Sequence, residues 1–285
     1  MTIFEAILLG AVQGLFMFLP VSSTAHLVVV QHLLIQSGSE LPPPESSEML
    51  LFDLVVHVGT LVSIAVVFRQ SLTRFVSRVA QDGMDLLRGK VGERLFLRLF
   101  FLGLLSTLVT GIVGLTFKGL FESVFAAPIV LGFTFTLTGC LLWWTDKLSP
   151  RQIGLRQIGV KVALVMGLAQ GAALMPGLSR SGMTIVFALL MGLKRRWAAE
   201  YSFYVAFPTI IAASMVQSLL VMREAGLDGF DFLPLLVGFI VAALVGTLAL
   251  KLVVTLLRRA QLKYFAFYLW FLAIAVMFGF LDRIG

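Results

Sequence analysis

Two short polar stretches interrupt long apolar runs, and both contain side chains that could bind an anion. The first is Ser22–Thr24, which comes after Pro20 and is followed by His26. The second is Ser179–Gly182, which repeats the arrangement with the guanidinium of Arg180 in place of the imidazole. If a helix begins at each stretch, its free backbone N–H groups and its dipole favour a negative charge. Together these groups are typical of a phosphate or diphosphate site.

Each stretch also has a purely structural explanation. In the first, Ser22 or Ser23 would cap a helix, which needs one hydroxyl and leaves His26 unexplained. In the second, Arg180 would form a buried salt bridge. Few carboxylates lie within the apolar runs, and the candidates are Glu5, Asp53 and Glu200.

The composition places both stretches in a membrane protein. The chain has 285 residues, of which 59% are hydrophobic and 13% charged, and its mean hydropathy is +0.99. A soluble domain is nearer half apolar and a quarter charged, so a single globule could not bury this much apolar surface. Because a spanning helix takes about 20 apolar residues, the chain has room for about eight membrane segments. The excess of apolar residues excludes disordered and fibrous proteins. A disulfide-built domain is excluded because the single cysteine, Cys140, cannot form an internal disulfide.

Six apolar runs are long enough to span a bilayer, and two more are broken in the middle. The broken ones cover residues 2–36 and 160–193. About a dozen apolar residues on each side of a polar turn are too few to cross, so each is predicted to form a re-entrant helical hairpin. The sequence therefore predicts an all-α integral membrane protein with a single membrane domain over residues 1–285. The six spans are predicted at 50–69, 96–116, 124–145, 198–222, 231–255 and 263–283.

The basic residues mark one side of the membrane. Most of the 22 Lys and Arg residues fall in four connections, at 69–98, 147–161, 194–196 and 258–263. Positive loops face the cytoplasm, whereas the acidic connections at 36–48, 117–123 and 223–231 are predicted to face outward. The predicted sides of the connections agree with six spans only if each broken segment returns to the side of the membrane from which it starts. No nucleic-acid motif accompanies the net charge of +7.

The two hairpins begin similar halves of the chain. Each half is one hairpin followed by three spans, which predicts an inverted-topology repeat over approximately residues 1–146 and 151–285. Chance similarity between two breaks rich in Gly, Pro and Ser is the alternative. The aligned residues, with one residue of slip, are Gln13, Gly14, Pro20 and Ser23 in the first half and Gln170, Gly171, Pro176 and Ser179 in the second.

The polar residues form motifs that resemble a known family, the undecaprenyl-diphosphate phosphatases of the bacitracin-resistance type. Such proteins lie in the bacterial inner membrane and remove the terminal phosphate from the C55 lipid diphosphate, which recycles the carrier for cell-wall synthesis. The resemblance implies six transmembrane helices and two re-entrant hairpins in an inverted repeat, with a site that faces the periplasm. The motifs are Glu5, Gln13, Phe18–His26, Phe52–Thr60, Pro176–Gly182 and Ala199–Phe203.

The resemblance also implies roles for individual residues. His26 and Ser23 would act in catalysis, and Arg180 would hold the diphosphate. Mg²⁺ or Ca²⁺ is a candidate cofactor. The expected partners are membrane lipids, in particular a polyprenyl diphosphate or phosphate. A homodimer is an open alternative. The other substrate-binding residues would be Gln13, Ser22, Thr24, Ser179 and Ser181.

One position departs from the family's pattern. Met17 stands where the first motif has its catalytic glutamate, and Phe16 replaces a usual threonine. A thioether neither accepts a proton nor binds a hard cation such as Mg²⁺. Either the protein hydrolyses poorly or another carboxylate substitutes, and the candidates are Asp53 and Glu5. Asp53 and His57, one helical turn apart, could instead be a polar pair that joins two helices.

Three functions follow from these motifs as alternatives. The first is dephosphorylation of a polyprenyl diphosphate, with Arg180 and two helix N-termini stabilising charge on the phosphoryl group. The second is a transporter, flippase or binding protein for polyprenyl phosphate, for which the loss of the glutamate would matter less. The third, a structural scaffold, leaves Arg180 and His26 without a purpose.

Overall fold

The computed structural model is almost entirely helical. It describes residues 1–43, 46–117, 119, 128–175, 177–224 and 231–278, without the side chains of residues 128, 217 and 220–224. These residues form eleven α-helices and one 3-10 turn at Leu155–Gln157, with no β-strand among them. In chain order the helices are α1 (Ile3–Phe18), α2 (Ser23–Gln36), α3 (Ser47–Val67), α4 (Arg69–Leu87), α5 (Leu95–Thr116), α6 (Pro128–Asp146), α7 (Val160–Ala172), α8 (Arg180–Leu190), α9 (Arg195–Glu224), α10 (Phe232–Arg258) and α11 (Lys263–Met277).

Five of the helices are long and apolar enough to cross a membrane, namely α3, α5, α6, α9 and α10. They coincide with five of the predicted spans, which confirms an all-α integral membrane protein. The sixth span, predicted at 263–283, begins as α11, whose described part has 15 residues. Residues 279–285 lie outside the described residues, as do 124–127 at the start of the third predicted span and most of the acidic connections 117–123 and 223–231.

Both broken segments are helix–turn–helix pairs. Residues 19–22 join α1 to α2, and residues 173–179 join α7 to α8, with Pro176 outside the described residues. The four helices have 11 to 16 residues each, which is fewer than the roughly 20 needed for a full crossing. The way in which each pair enters and leaves a bilayer stays a prediction.

Glycines let the first helix of each pair approach a long helix closely. A Cβ on Gly14 of α1 would lie 2.7 Å from the carbonyl oxygen of Ala242 in α10. A Cβ on Gly171 of α7 would lie 2.6 Å from the Cβ of Val113 in α5. Such approaches stabilise membrane helices, which associate mainly by close packing. Each pair thus packs on a helix of the other half, as an inverted repeat would require, although the repeat itself stays a prediction.

The basic connection at 69–98 is not a simple loop, because most of it forms α4. The charge pattern alone did not indicate this helix, whose apolar residues recur at helical spacing. No residue of α4 is buried, so the helix lies on the surface of the molecule. Asp82 accepts hydrogen bonds from two backbone N–H groups at the start of α5, at 2.9 and 3.1 Å, and so holds α4 against α5. The apolar side of α4 has the helical spacing of Leu72, Phe75, Val76 and Val79.

Candidate active site

The turns of the two helix pairs contact each other. Ser181 Oγ donates to the carbonyl oxygen of Leu19 at 3.4 Å. Arg180 Nη2 donates to Met17 Sδ at 3.4 Å, although the two residues are 163 positions apart. The polar stretches that the sequence places in separate halves therefore belong to one site.

A cavity of about 390 Å³ lies where the turns meet. Pockets of this size hold small ligands or head groups. The cavity is lined by both turns and by side chains of α3, α5, α7 and α9. Of the residues predicted from the sequence it brings together Ser22, Ser23, Thr24, Asp53, Ser179, Arg180 and Ser181, and it adds Met17, His57, Thr110, Gln170, Thr209 and Ser214.

In the first turn, Ser22 has a backbone conformation that is rare for serine. Ser22 has a φ of 69°, and such a conformation costs about 1–3 kcal/mol for a non-glycine residue. Its side chain makes no capping hydrogen bond to α2, so capping does not explain this serine. In the second turn Ser179 does cap α8, because its Oγ accepts a hydrogen bond from the Gly182 N–H at 3.2 Å.

Arg180 pairs with no carboxylate among the described residues. The three carboxylates that the sequence offered have other contacts, because Glu5 caps α1, Asp53 accepts from Gln31, and Glu200 pairs with Arg196. The hydrogen-bond acceptor at Arg180 is the Met17 thioether, which is a weak one. Most of the hydrogen-bonding capacity of this guanidinium therefore stays available to an anion in the cavity.

Met17 Sδ lies at the centre of a group of donors. Arg180 Nη2 is 3.4 Å away, Gln13 Nε2 is 3.5 Å away, and Ser23 Oγ is 3.9 Å away. Each of these groups would hydrogen-bond a carboxylate more strongly than a thioether. The surroundings of position 17 therefore fit the glutamate that the family resemblance predicts there.

Helix α3 supplies a carboxylate and an imidazole to the cavity. His57 Nδ1 donates to the backbone carbonyl of Asp53 at 2.7 Å. His57 Nε2 has no partner in the described part of the chain, so this nitrogen can accept a proton. Asp53 Oδ1 accepts a hydrogen bond from Gln31 Nε2 at 3.1 Å. Asp53 therefore joins α3 to α2 through Gln31 and not through a pair with His57, while Asp53 and His57 both line the cavity.

His26 lies at the first turn but does not line the cavity. Its Nδ1 is 2.7 Å from the carbonyl oxygen of Ser22, and its Nε2 is 2.6 Å from the hydroxyl of Tyr268 in α11. Because a carbonyl only accepts, Nδ1 carries a hydrogen, and Nε2 of the neutral ring accepts from Tyr268. The ring stacks on Phe16 with 4.0 Å between centroids. His26 thus fixes the turn, and its predicted catalytic role stays a prediction.

Two other predicted residues also lie outside the cavity. Gln13 is buried below the first turn, where its amide contacts Met17. Glu5 lies at the far end of α1, about 18 Å along the helix from Met17. Its carboxylate accepts hydrogen bonds from the Thr2 backbone N–H at 2.6 Å and from Ser39 Oγ at 2.5 Å. The structure therefore gives Glu5 a place in the cap of α1, whereas Asp53 is beside the cavity.

Among the polar lining residues that were not predicted as site residues, three form one hydrogen-bonded group. Gln170 Nε2 donates to Thr110 Oγ1 at 3.2 Å and to Thr209 Oγ1 at 2.8 Å, which links α7 to α5 and α9. The alignment of Gln170 with Gln13 was the signal that could have identified it. The two threonines carry no such signal, because threonine in an apolar helix often bonds only to its own backbone.

Comparison with known proteins identifies the family. The family described as "Bacitracin resistance protein BacA" matches residues 6–275. The chain is 58% identical to the undecaprenyl-diphosphatase of Halorhodospira halophila, with 99% of both chains covered. It is 58% identical to that of Alkalilimnicola ehrlichii, with 99% of this chain and 98% of the relative covered, and 35% identical to that of Carboxydothermus hydrogenoformans, with 97% of both covered. The chain therefore belongs to the BacA bacitracin resistance protein family.

Proposed function

We propose that this protein removes the terminal phosphate of undecaprenyl diphosphate and so recycles the C55 lipid carrier of cell-wall synthesis. The observation that carries the proposal is the environment of Arg180. Its guanidinium faces a cavity lined with hydroxyls, and a thioether is the acceptor beside it. A diphosphate supplies the negative charge that this arrangement needs. The relatives at 58% identity, which are named undecaprenyl-diphosphatases, support the same activity.

In the proposed reaction, Arg180 and the backbone N–H groups at the start of α8 bind the diphosphate and stabilise the charge that develops on it. Ser23 Oγ attacks the terminal phosphorus and passes its proton to His57 Nε2. The bond from this phosphorus to the bridging oxygen breaks, and polyprenyl phosphate leaves. Water then attacks the phosphorus, the bond from phosphorus to Ser23 Oγ breaks, His57 returns its proton to Oγ, and inorganic phosphate leaves. His26 holds the carbonyl of Ser22 and so positions the nucleophile.

A divalent cation fits this cavity only if the substrate phosphates supply part of its ligands. The described residues contain no group of three His, Cys, Asp or Glu side chains that could hold a metal ion. Mg²⁺ is nevertheless often held by one or two carboxylates together with substrate phosphates and water. Asp53 is the carboxylate that would hold it here, and the ion would neutralise charge on the phosphates.

We place the cavity on the outer side of the bacterial inner membrane. Leu50 and Asp53 line the cavity and lie near the start of α3, which follows the acidic connection 36–48. The basic connections, which favour the cytoplasm, follow the other end of that helix. The prenyl chain would then remain in the bilayer while the head group enters from the outer leaflet. A homodimer stays a prediction.

Met17 favours a second candidate function. Without an acid at this position, the same cavity could bind polyprenyl phosphate and carry its head group across the membrane without hydrolysis. Broken helices that meet inside a membrane protein are typical of transporters. The two functions differ in one observable, which is the release of inorganic phosphate.

Phosphate release by the purified protein from undecaprenyl or farnesyl diphosphate, with and without Mg²⁺ or Ca²⁺, tests the proposal. We expect release by the native protein and a loss of about a hundredfold or more in Arg180→Ala. Arg78→Ala changes an exposed arginine of α4 and should keep the native rate. A native protein that releases no phosphate, but binds polyprenyl phosphate through Arg180, would contradict the phosphatase and favour the carrier.

A further inference from the structure

A second cavity lies further toward the N-terminus of α9, on the side of the basic connections. Its volume is about 460 Å³, and α4, α5 and α9 form its walls. We call it the α4–α9 groove. It shares no lining residue with the cavity at the turns. Its lining side chains include Phe75, Val76, Phe96, Phe100, Leu104 and Tyr204.

The inner wall of the groove is aromatic and continuous. The ring of Phe75 lies 5.5 Å from the ring of Tyr204 and 6.1 Å from the ring of Phe96, measured between centroids. These contacts join α4, α5 and α9 through one side chain. A wall of this kind suits a hydrocarbon chain, because aromatic side chains offer a large apolar surface.

The rim of the groove is also apolar, and its side chains are exposed at the surface of the protein. Val76 is 60% exposed, Leu104 is 42% exposed and Phe100 is 39% exposed. Amphipathic helices such as α4 lie in the membrane interface with their apolar side toward the acyl chains. A helix at this position would turn the exposed rim toward the acyl chains of the membrane.

Two arginines stand at the same groove. The guanidinium of Arg74 has no partner in the part of the chain that the structure describes. Arg196 Nε pairs with Glu200 at 2.9 Å. Its guanidinium carbon lies 5.0 Å from the centroid of the Trp197 ring, and its Nη groups have no hydrogen-bond partner among the described residues. Since Glu200 neutralises one arginine, one positive charge remains at the groove. An anionic head group would complement it.

We propose that the α4–α9 groove binds an anionic phospholipid of the leaflet on the basic side. One acyl chain lies along the aromatic wall, and the phosphate lies between Arg74 and Arg196. The groove is independent of phosphate release at the other cavity, so the two proposals can fail separately.

Gly103 of α5 offers a way to fill the groove without disturbing the fold. It lines the groove, and a Cβ built on it would have no atom within 4 Å. Gly111 on the same helix is equally open but does not line the groove. Gly103→Phe and Gly111→Phe are therefore a matched pair. Arg74→Gln and Arg78→Gln form a second pair, one helical turn apart on α4.

Native mass spectrometry of the full chain in detergent, with phosphatidylglycerol or phosphatidylcholine added, tests the proposal. We expect the native protein to retain phosphatidylglycerol in preference to phosphatidylcholine. Gly103→Phe should lose this preference while Gly111→Phe keeps it. Arg74→Gln should weaken retention about fivefold, as expected for one basic contact to a lipid head group, and Arg78→Gln should not.

Three results would overturn the proposal. Equal retention of the two lipids by the native protein would show that the head group is not recognised. Unchanged retention in either Gly103→Phe or Arg74→Gln would show that the lipid binds elsewhere. Displacement of phosphatidylglycerol by equimolar undecaprenyl phosphate would make the groove a second site for the substrate lipid.

Discussion

Met17 Sδ is contacted by donors from Arg180, Gln13 and Ser23. A hydrogen bond to a charged partner contributes about 1.5–3 kcal/mol, and a thioether offers much less than a carboxylate would. Arg180 therefore keeps its donors for the substrate instead of forming a salt bridge. Since phosphoryl transfer depends mainly on positioning and on charge stabilisation, the site can work slowly without an acid at position 17.

The first prediction concerns Met17→Glu. The new carboxylate would accept hydrogen bonds from the donors that now contact the thioether, and it could act as an acid or base. We expect phosphate release to rise about tenfold or more, measured as the initial rate with saturating farnesyl diphosphate. Met84→Glu, on the exposed surface of α4, serves as control. A lower rate in Met17→Glu would instead show that a free Arg180 matters more than an added acid.

The second prediction separates the two histidines of the site. His57→Asn removes the imidazole that we propose as the base for Ser23, so kcat should fall and the acidic limb of the pH–rate profile should disappear. His26→Asn loosens the turn at Ser22, so the rate should fall while the acidic limb stays. The pH–rate profiles of both variants show which histidine is the base. An unchanged acidic limb in His57→Asn would exclude His57 as the base.

At the scale of the helices, the two pairs that carry the turns are fixed by close contacts at glycines. Gly14 approaches the carbonyl of Ala242, and Gly171 approaches Val113. The carbonyl of Ala242 and the Cβ of Val113 cannot rotate away as the end of a flexible side chain can. The position of the polar turns therefore depends on two glycines that lie about one helical turn from the site.

The third prediction tests these contacts. Gly14→Ala and Gly171→Ala should each destabilise the protein by about 1–3 kcal/mol through overpacking, seen as a lower melting temperature in detergent. Gly111→Ala has open space at its Cβ and should leave the melting temperature unchanged or slightly higher, because alanine favours helix. An equal response of all three variants would refute the packing argument.

The sequence was sufficient for the elements that follow from length and polarity. The long helices and the two broken segments were predicted because apolar runs must be about 20 residues long to cross a bilayer. Helix α4 was not predicted, because its many basic residues interrupt the helical spacing of Leu72, Phe75 and Val79. Charge and amphipathic pattern are separate properties, and a basic connection can have both.

At the scale of the whole molecule, the cavity is assembled from distant segments. That the two turns share one site follows from the chemistry of their polar residues, so the sequence could predict it, whereas the contact of Arg180 with Met17 was not predicted. The direction of His26 could not be predicted, since its partner Tyr268 is 242 positions away. The contacts of Gln170 with Thr110 and Thr209 likewise depend on how three helices pack, which no local pattern records.

The fourth prediction concerns the orientation of the molecule. In a Cys140→Ala background, Glu40→Cys and Arg78→Cys place single thiols on the connection 36–48 and on α4. A maleimide that cannot cross membranes should label Glu40→Cys in intact spheroplasts and Arg78→Cys only after lysis, because basic connections stay in the cytoplasm. The reverse pattern would place the cavity on the cytoplasmic side.

The contact between Gly14 and α10 also sets an order of events during synthesis. The helix that receives α1 is made more than 200 residues after it. At translation rates of about 5–20 residues per second, α1 and its polar turn wait about 10–50 seconds for this partner. The hydroxyls of the first turn lack α10 beneath them for the whole interval, and they lack Arg180 opposite until the chain has grown 163 positions beyond Met17. The phosphate site is therefore complete only after both Arg180 and α10 have been made, late in translation.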